Sequence, residues 1–189
     1  MTGRDKFHKL RHFILISRGF LKLLPKSIRK GLFILSRNMP GGIGILIRYV
    51  LLSTIAKIGK NVTVLEGVFL KNPEHFTCGD NVSIHSMCYI DAIGKITIGN
   101  DVSLAHATTI LSETHSYRDK EIPIKYQPLQ TKHTIIGNNV WIGAKCTILF
   151  GVHIADGSVI GANSVVTKST LEDSINIGSP CKFLKNRFS

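Results

Sequence analysis

From Ile136 onward an aliphatic residue returns at every sixth position: Ile136, Ile142, Ile148, Ile154, Ile160 and Val166. A small or β-branched residue sits four places after each of the first five (Val140, Cys146, Val152, Ser158, Ser164), and Gly or Ala follows directly at Gly137, Gly143, Ala155 and Gly161. Ordinary strands alternate by twos and helices repeat near 3.6 residues, so neither sustains this step. A solenoid does. Each hexapeptide is then one short flat strand and one turn, its first residue points inward, and the small residue fits the corner. Gly and Asn supply the left-handed turns. No coil buries its own core, so stacking must stabilise the array.

The same pattern runs upstream. Ile98, Leu104 and Ile110 open one block; Cys78, Ile84 and Ile90 another; Ile58, Val64 and Leu70 a third. The phase shifts by two between blocks, as expected if each three-sided coil uses 18 residues plus a small corner insertion. Residues 116–133 break the ladder, and a repeat-free loop of that length is more often functional than not. The chain therefore divides into three parts. Residues 1–57 are a basic amphipathic helical segment, broken near Pro25 and ending in an apolar connector over 43–57. Residues 58–171 form the solenoid with its loop, and residues 172–189 are a basic tail.

Charge follows this division. Residues 1–60 carry 13 Lys and Arg against one acid, and the remainder 11 against 11. Such a segment meets an anionic partner. Its basic residues interleave with apolar clusters over 4–37, which points to an anionic membrane surface or to a helical cap on the first coil. No nucleic-acid-reading motif is present, so nucleic acid is not expected. The longest apolar stretch, Ile43 to Ala56, contains Arg48 and is shorter than the ~20 residues of a spanning helix. The start lacks a signal-peptide cleavage site. The four cysteines read as reduced thiols, so a cytoplasmic setting is the expectation, with peripheral contact at the inner face of the plasma membrane. Cys78, Cys88, Cys146 and Cys181 form no zinc spacing, so no metal is expected, and Cys78 and Cys146 fall at inward positions as small apolar residues.

The run IIGNNVWIGAKCTILFGVHIADGSVIGANSVVTKS, followed by GSPCKFLKNR, resembles the hexapeptide-repeat acetyltransferases. The likeness is to the branch holding the maltose and galactoside O-acetyltransferases and the enzymes that acetylate bacterial surface polysaccharides. It covers roughly residues 58–189. It implies an all-β, left-handed parallel β-helix, a homotrimer with sites between neighbouring prisms, and acetyl-CoA as co-substrate. It also implies His115, at the lip of the long loop, as the base that deprotonates a sugar hydroxyl. His85 stands where the galactoside and maltose enzymes have a substrate-binding asparagine, a departure that argues against those two acceptors. Asp91, Glu113 and Asp119 are further candidates to bind the acceptor or orient His115, with Glu113 the strongest and all three expected as surface acids. His106 is expected in the same outward register as His85.

On the cofactor side the resemblance carries over Trp141 as the channel tryptophan, Ala144 as the backbone donor to the thioester oxygen, and Ala162 as a contact to the pantetheine arm. Thr167 and Lys168 match residues near the nucleotide, and Lys168, Lys182, Lys185 and Arg187 are candidates for its phosphates. The leading function is therefore acetylation of a sugar, free or lipid-linked, in surface-polysaccharide biosynthesis. A xenobiotic or small-sugar acceptor is the alternative. A β-helical carbonic anhydrase is disfavoured because the HxxxxH spacing is missing. A non-catalytic membrane-associated scaffold is the reading from another class.

Overall fold

The computed structural model describes residues 3–189; for residues 3–9 and 11 it describes the backbone alone. The basic side chains at positions 4, 6, 9 and 11, on which part of the membrane expectation rests, lie outside the described residues.

The solenoid is present as a three-faced left-handed parallel β-helix. The first face stacks Lys57–Ile58, Phe76–Cys78, Ile96–Ile98, Thr134–Ile136 and His153–Ile154. The second stacks Thr63–Val64, Ser83–Ile84, Ser103–Leu104, Trp141–Ile142, Val159–Ile160 and Ser174–Ile177. The third stacks Phe69–Lys71, Tyr89–Asp91, Thr109–Leu111, Thr147–Ile148 and Val165–Val166. Ile58, Cys78 and Ile98 pair at 20-residue offsets, whereas Ile136 and Ile154 pair at 18. The early coils thus carry two extra residues, which is the phase shift visible in the sequence. All the inward residues from Ile84 to Ile160 are almost fully buried. Burial pushes the Cys78 thiol up to about 12, which suits a packing residue and not a nucleophile.

The Gly-Asn pairs have a structural reason. At the corner between the first two faces, Asn81 donates to Asp101 (2.9 Å) and Asn61 to Asn81 (3.0 Å). Asn100 Oδ1 accepts from the Asp80 amide (2.8 Å), and Asn138 Oδ1 from the Asn100 amide (2.8 Å). A Cβ on Gly79 would sit 2.3 Å from the Asn100 side chain, so glycine is needed for this close approach.

Three helices precede the coil: α1 (Gly3–Lys22), α2 (Lys26–Leu35) and α3 (Gly41–Leu52). Pro25 separates the first two, as the sequence suggested. The expected apolar connector over 43–57 is mostly α3. This helix covers the open end of the coil, where first-coil carbonyls have no lower strand to accept from. Buried Arg48 donates from Nε to Val64 O (2.8 Å) and from Nη1 to Ser36 O (2.9 Å) and Met39 O (2.7 Å). The Tyr49 hydroxyl donates to Gly59 O (3.1 Å). The helices thus act as a cap, one of the two roles considered for them. They also expose Phe13, Ile16, Phe20, Leu23, Leu35 and Ile43, and an apolar groove of about 730 Å³ opens between them. Among the described residues no helix is long and apolar enough to cross a membrane.

At the other end, Ser174–Ile177 continues the second face and Lys182–Asn186 folds back antiparallel on it. The ladder therefore extends past residue 171 into the tail.

Candidate functional site

The third face ends at a corner that gathers the ionisable side chains. Lys71 and Asp91 occupy the same column on successive coils. Lys71 Nζ lies 2.6 Å from Asp91 Oδ2, and Asn72 Nδ2 donates to Oδ1 at 3.2 Å. Asp91 is almost fully buried, which corrects the expectation of a surface acid. Burial alone would raise its pKa, but the Lys71 hydrogen bond and the Ile93 amide outweigh it and hold the carboxyl below the usual range. One coil on, Ser112 donates to the Asp91 carbonyl (2.7 Å). Directly after it the chain leaves the ladder.

The excursion is a hairpin. Glu113–His115 pairs antiparallel with Leu129–Thr131, placing His115 opposite Leu129. Glu113 and Thr131 form its base, so it begins before residue 116. Glu113 Oε2 is buried with no hydrogen-bond donor. Burial first, and then the Asp91 carboxylate, raise the Glu113 pKa. His115 is the exposed end of this strand. Lys71, Asp91, Glu113 and His115 thus run up one corner, from an ion pair with a buried carboxylate to an exposed imidazole.

Asp119 serves the loop instead. Its Oδ1 accepts from the amides of Glu121 (2.8 Å) and Ile122 (3.3 Å), and buried Gln127 bonds the Asp119 and Ile122 carbonyls (2.8 and 2.7 Å). Gln127, Lys71 and Asn72 were missed in the sequence. Lys71 was legible there, because it precedes Asp91 by the 20-residue coil length. The role of Gln127 depends on loop geometry that no periodicity encodes.

His85 lies exposed at the corner between the second and third faces, across the third face from His115. One protomer does not bring the two histidines together. Ile84 pairs with Leu104, which sets His85 level with Ala105, and His106 level with Ser86. The expectation that His106 shares the register of His85 is corrected by that one residue.

The cofactor-side residues spread over the second face and its neighbours. Trp141 stands exposed on the second face. Ile142 pairs with Ile160, so Ala144 and Ala162 stack at the next corner, where the Asn163 amide donates to Ala144 O (2.9 Å). A Cβ on Gly143 would meet the Ala162 amide at 2.6 Å, so this corner admits only glycine without rearrangement. Thr167 and Lys168 lie exposed beyond the third face. Lys168 and Lys182 line one pocket of about 260 Å³, a fit for a phosphate-bearing ligand. Lys185 and Arg187 are elsewhere: Lys185 Nζ donates to Ser189 O (3.3 Å), and Arg187 to Gly157 O (3.2 Å). Among the described residues no group of His, Cys, Asp and Glu could hold a metal ion.

A hexapeptide coil interrupted by one hairpin, with an exposed histidine on that hairpin and an exposed tryptophan on another face, defines a class, and sequence and structure comparisons agree with it. Residues 133–168 match a family model described as hexapeptide repeat of succinyl-transferase. A Lysinibacillus sphaericus protein named for macrolide acetylation is 57% identical over 125 residues, covering 64% of this chain and 69% of its own length. An Escherichia coli K12 protein named for lipopolysaccharide biosynthesis O-acetyl transfer is 34% identical over 113 residues. That match covers 56% of this chain but only 58% of the relative. A solved galactoside acetyltransferase in complex with coenzyme A superposes with a TM-score of 0.76 at 29% identity, covering 85% of this chain and 80% of that one. The chain belongs to the hexapeptide-repeat acetyltransferase family.

Proposed function

We propose that this protein transfers an acetyl group from acetyl-CoA to a sugar hydroxyl during bacterial surface-polysaccharide biosynthesis. The observation that carries the reading is His115, exposed at the end of a strand whose root meets the column of Lys71, buried Asp91 and Glu113. Neutral His115 takes the proton of the acceptor hydroxyl as its oxygen attacks the thioester carbonyl. The carbon–sulfur bond breaks, and the thiolate of coenzyme A recovers the proton from the imidazolium. The Ala144 amide is the candidate donor to the developing oxyanion. Asp91, buried and paired with Lys71, and Glu113 hold the root of the hairpin that presents His115.

The working unit is a homotrimer. His115 and Trp141 lie on different parts of one prism, so a neighbouring protomer supplies the acetyl-CoA side of each site. Contact of the trimer with an anionic leaflet at the cytoplasmic face is supported by the exposed apolar residues Phe13, Ile16 and Phe20 of α1 and by exposed Lys22 and Lys26. There it meets a lipid-linked glycan.

A macrolide or other xenobiotic acceptor is the second reading, favoured by the 57% identity to the Lysinibacillus protein. The test is transfer of labelled acetyl from acetyl-CoA to a lipid-linked glycan fraction and to a macrolide panel, wild type beside His115→Ala. Glycan labelling that falls ~100-fold or more in the variant supports the proposal. Labelling of macrolides alone selects the second reading. Coenzyme A binding without transfer to any acceptor supports a scaffold.

A further inference from the structure

Between α2 and the first coil lies a pocket of about 220 Å³ whose rim and floor carry Lys30, Arg37, Arg48 and Lys71. No acid lines it. Two of the four cations are engaged: Lys30 with Glu74 (2.7 Å) and Lys71 with Asp91 (2.6 Å). Arg37 stacks over the Phe69 ring, 5.3 Å from its centroid. Arg48 is almost fully buried, and its Nη2 makes no hydrogen bond although its Nε and Nη1 are used. Among the described residues no carboxylate forms an ion pair with Arg37 or Arg48. Glu66 acts on Arg48 only at longer range. A buried guanidinium with a spare donor is costly unless an acceptor reaches it.

Its position gives the pocket a role. Lys71 is both part of the pocket and the root of the column that leads through Asp91 to Glu113 and His115. The column climbs two coil spacings, on the order of 10 Å. On the other side, Ser36 and Met39, whose carbonyls accept from Arg48, line the apolar groove between the helices. Apolar groove, cationic pocket and imidazole therefore follow one another along one edge of the molecule.

We propose that this pocket binds a phosphate or diphosphate carried by the acceptor, with Arg37 and Arg48 as its main donors. The planar guanidinium fork suits phosphate oxygens better than a lone ammonium does. The inference deepens the surface-glycan reading and rests on it: glycan precursors that carry a diphosphate, whether on a nucleotide or on a lipid, share this chemistry.

The experiment measures binding of inorganic pyrophosphate by calorimetry to the full-length protein with coenzyme A saturating, so that the cofactor's own phosphate site is filled. Wild type is compared with Arg37→Gln, with Arg48→Lys and with Lys60→Gln, an exposed lysine outside the pocket. Loss of a charge-assisted hydrogen bond should weaken binding about 10-fold in Arg37→Gln, with Lys60→Gln unchanged. Circular dichroism verifies folding, and Arg37→Gln keeps the test decisive if the Arg48 variant fails to fold. Competition of the bound pyrophosphate by a uridine diphosphate hexose, or only by a prenyl diphosphate in detergent, tells the soluble source from the lipid source; either supports the proposal. No binding of pyrophosphate to coenzyme A-loaded protein, or equal binding by Arg37→Gln, overturns it. Because no turnover is measured, that failure is distinct from failure of the acetyl-transfer reading.

Discussion

Lys71 Nζ meets the Asp91 carboxylate at 2.6 Å across two successive coils, and the two ends differ sharply in exposure: the Lys71 side chain is 42% exposed and that of Asp91 2%. The pair is therefore a surface cation reaching down to a buried anion. Its asymmetry sets the cost of removing either end.

Asp91→Asn leaves Lys71 free to turn to water, so no charge is stranded. The change should cost ~1–3 kcal/mol, the range for a lost charged hydrogen bond, below that for a fully buried pair. Urea unfolding at neutral pH measures it. The sign of the pH effect follows from the depressed carboxyl. Its contribution is present above the unfolded carboxylate range and is lost as pH falls through the folded value below it. The gap between wild type and variant should thus close in strong acid.

Glu113 behaves oppositely. Its pKa is raised by burial and by Asp91, so the folded state holds the proton more tightly than the unfolded chain. Wild-type stability should fall as pH climbs from the ordinary carboxylate range through the raised value. Glu113→Gln removes that slope and should raise the melting temperature at neutral pH. Acetyl transfer should fall in the same variant, since the hairpin root loses its carboxylate beside His115. A melting temperature that drops at neutral pH would show that the charged form is the stabilising one.

These acids mark where the sequence was legible and where it was not. The six-residue step from Ile136 to Val166 identifies the coil because every inward position repeats one packing demand. The break in the ladder was legible in the same way, to within a few residues of its start at Glu113, whereas His115 was singled out by the family resemblance. The burial of Asp91 was not, because position within a coil says which way a side chain points but not what the preceding coil places against it. Lys71 makes Asp91 a buried ion. In the same way Arg48 read as a charge interrupting an apolar stretch, whereas it bonds a first-coil carbonyl, Val64 O, and the carbonyls of Ser36 and Met39 in the turn between α2 and α3. Open ends and corners lie outside the repeat, and there the sequence pattern carries least.

Arg48→Met tests that capping role. Val64 O and Met39 O would lose the Arg48 donor together, and Ser36 O would keep only the Met39 amide, while methionine fills much of the volume. Leaving buried carbonyls without their charged donor should cost about 1–3 kcal/mol. Hydrogen exchange should show the first coil and α3 opening before the coils around Ile142. Uniform loss of protection along the whole ladder would contradict a local cap.

The exposed apolar residues of α1 and α2 carry the membrane proposal. Wild-type protein should float with phosphatidylglycerol-rich vesicles at low salt and less well at high salt, because each basic residue near an anionic surface contributes about 1 kcal/mol. Phe20→Glu with Leu23→Glu should abolish flotation without lowering the melting temperature, since both side chains are mostly exposed. Flotation insensitive to these changes would reject the helices as the contact.

The trimeric site makes the sharpest demand. Within one protomer His115 ends the hairpin after the third face, whereas Trp141 stands on the second. If each site joins the histidine of one protomer to the tryptophan side of the next, a protomer lacking His115 can still present a sound acetyl-CoA surface. Co-expressed His115→Ala and Trp141→Ala chains should then form mixed trimers in which some interfaces carry both native residues. Such trimers should recover up to about a third of wild-type turnover, although each variant alone falls ~100-fold or to a similar extent. Each mixed trimer, with either two-to-one composition, holds one interface that pairs an intact histidine with an intact tryptophan and one that lacks both. Separately purified homotrimers combined without subunit exchange should stay inactive. Recovery in the co-expressed sample alone places the site between protomers; no recovery in trimers shown by mass spectrometry to be mixed places it within one.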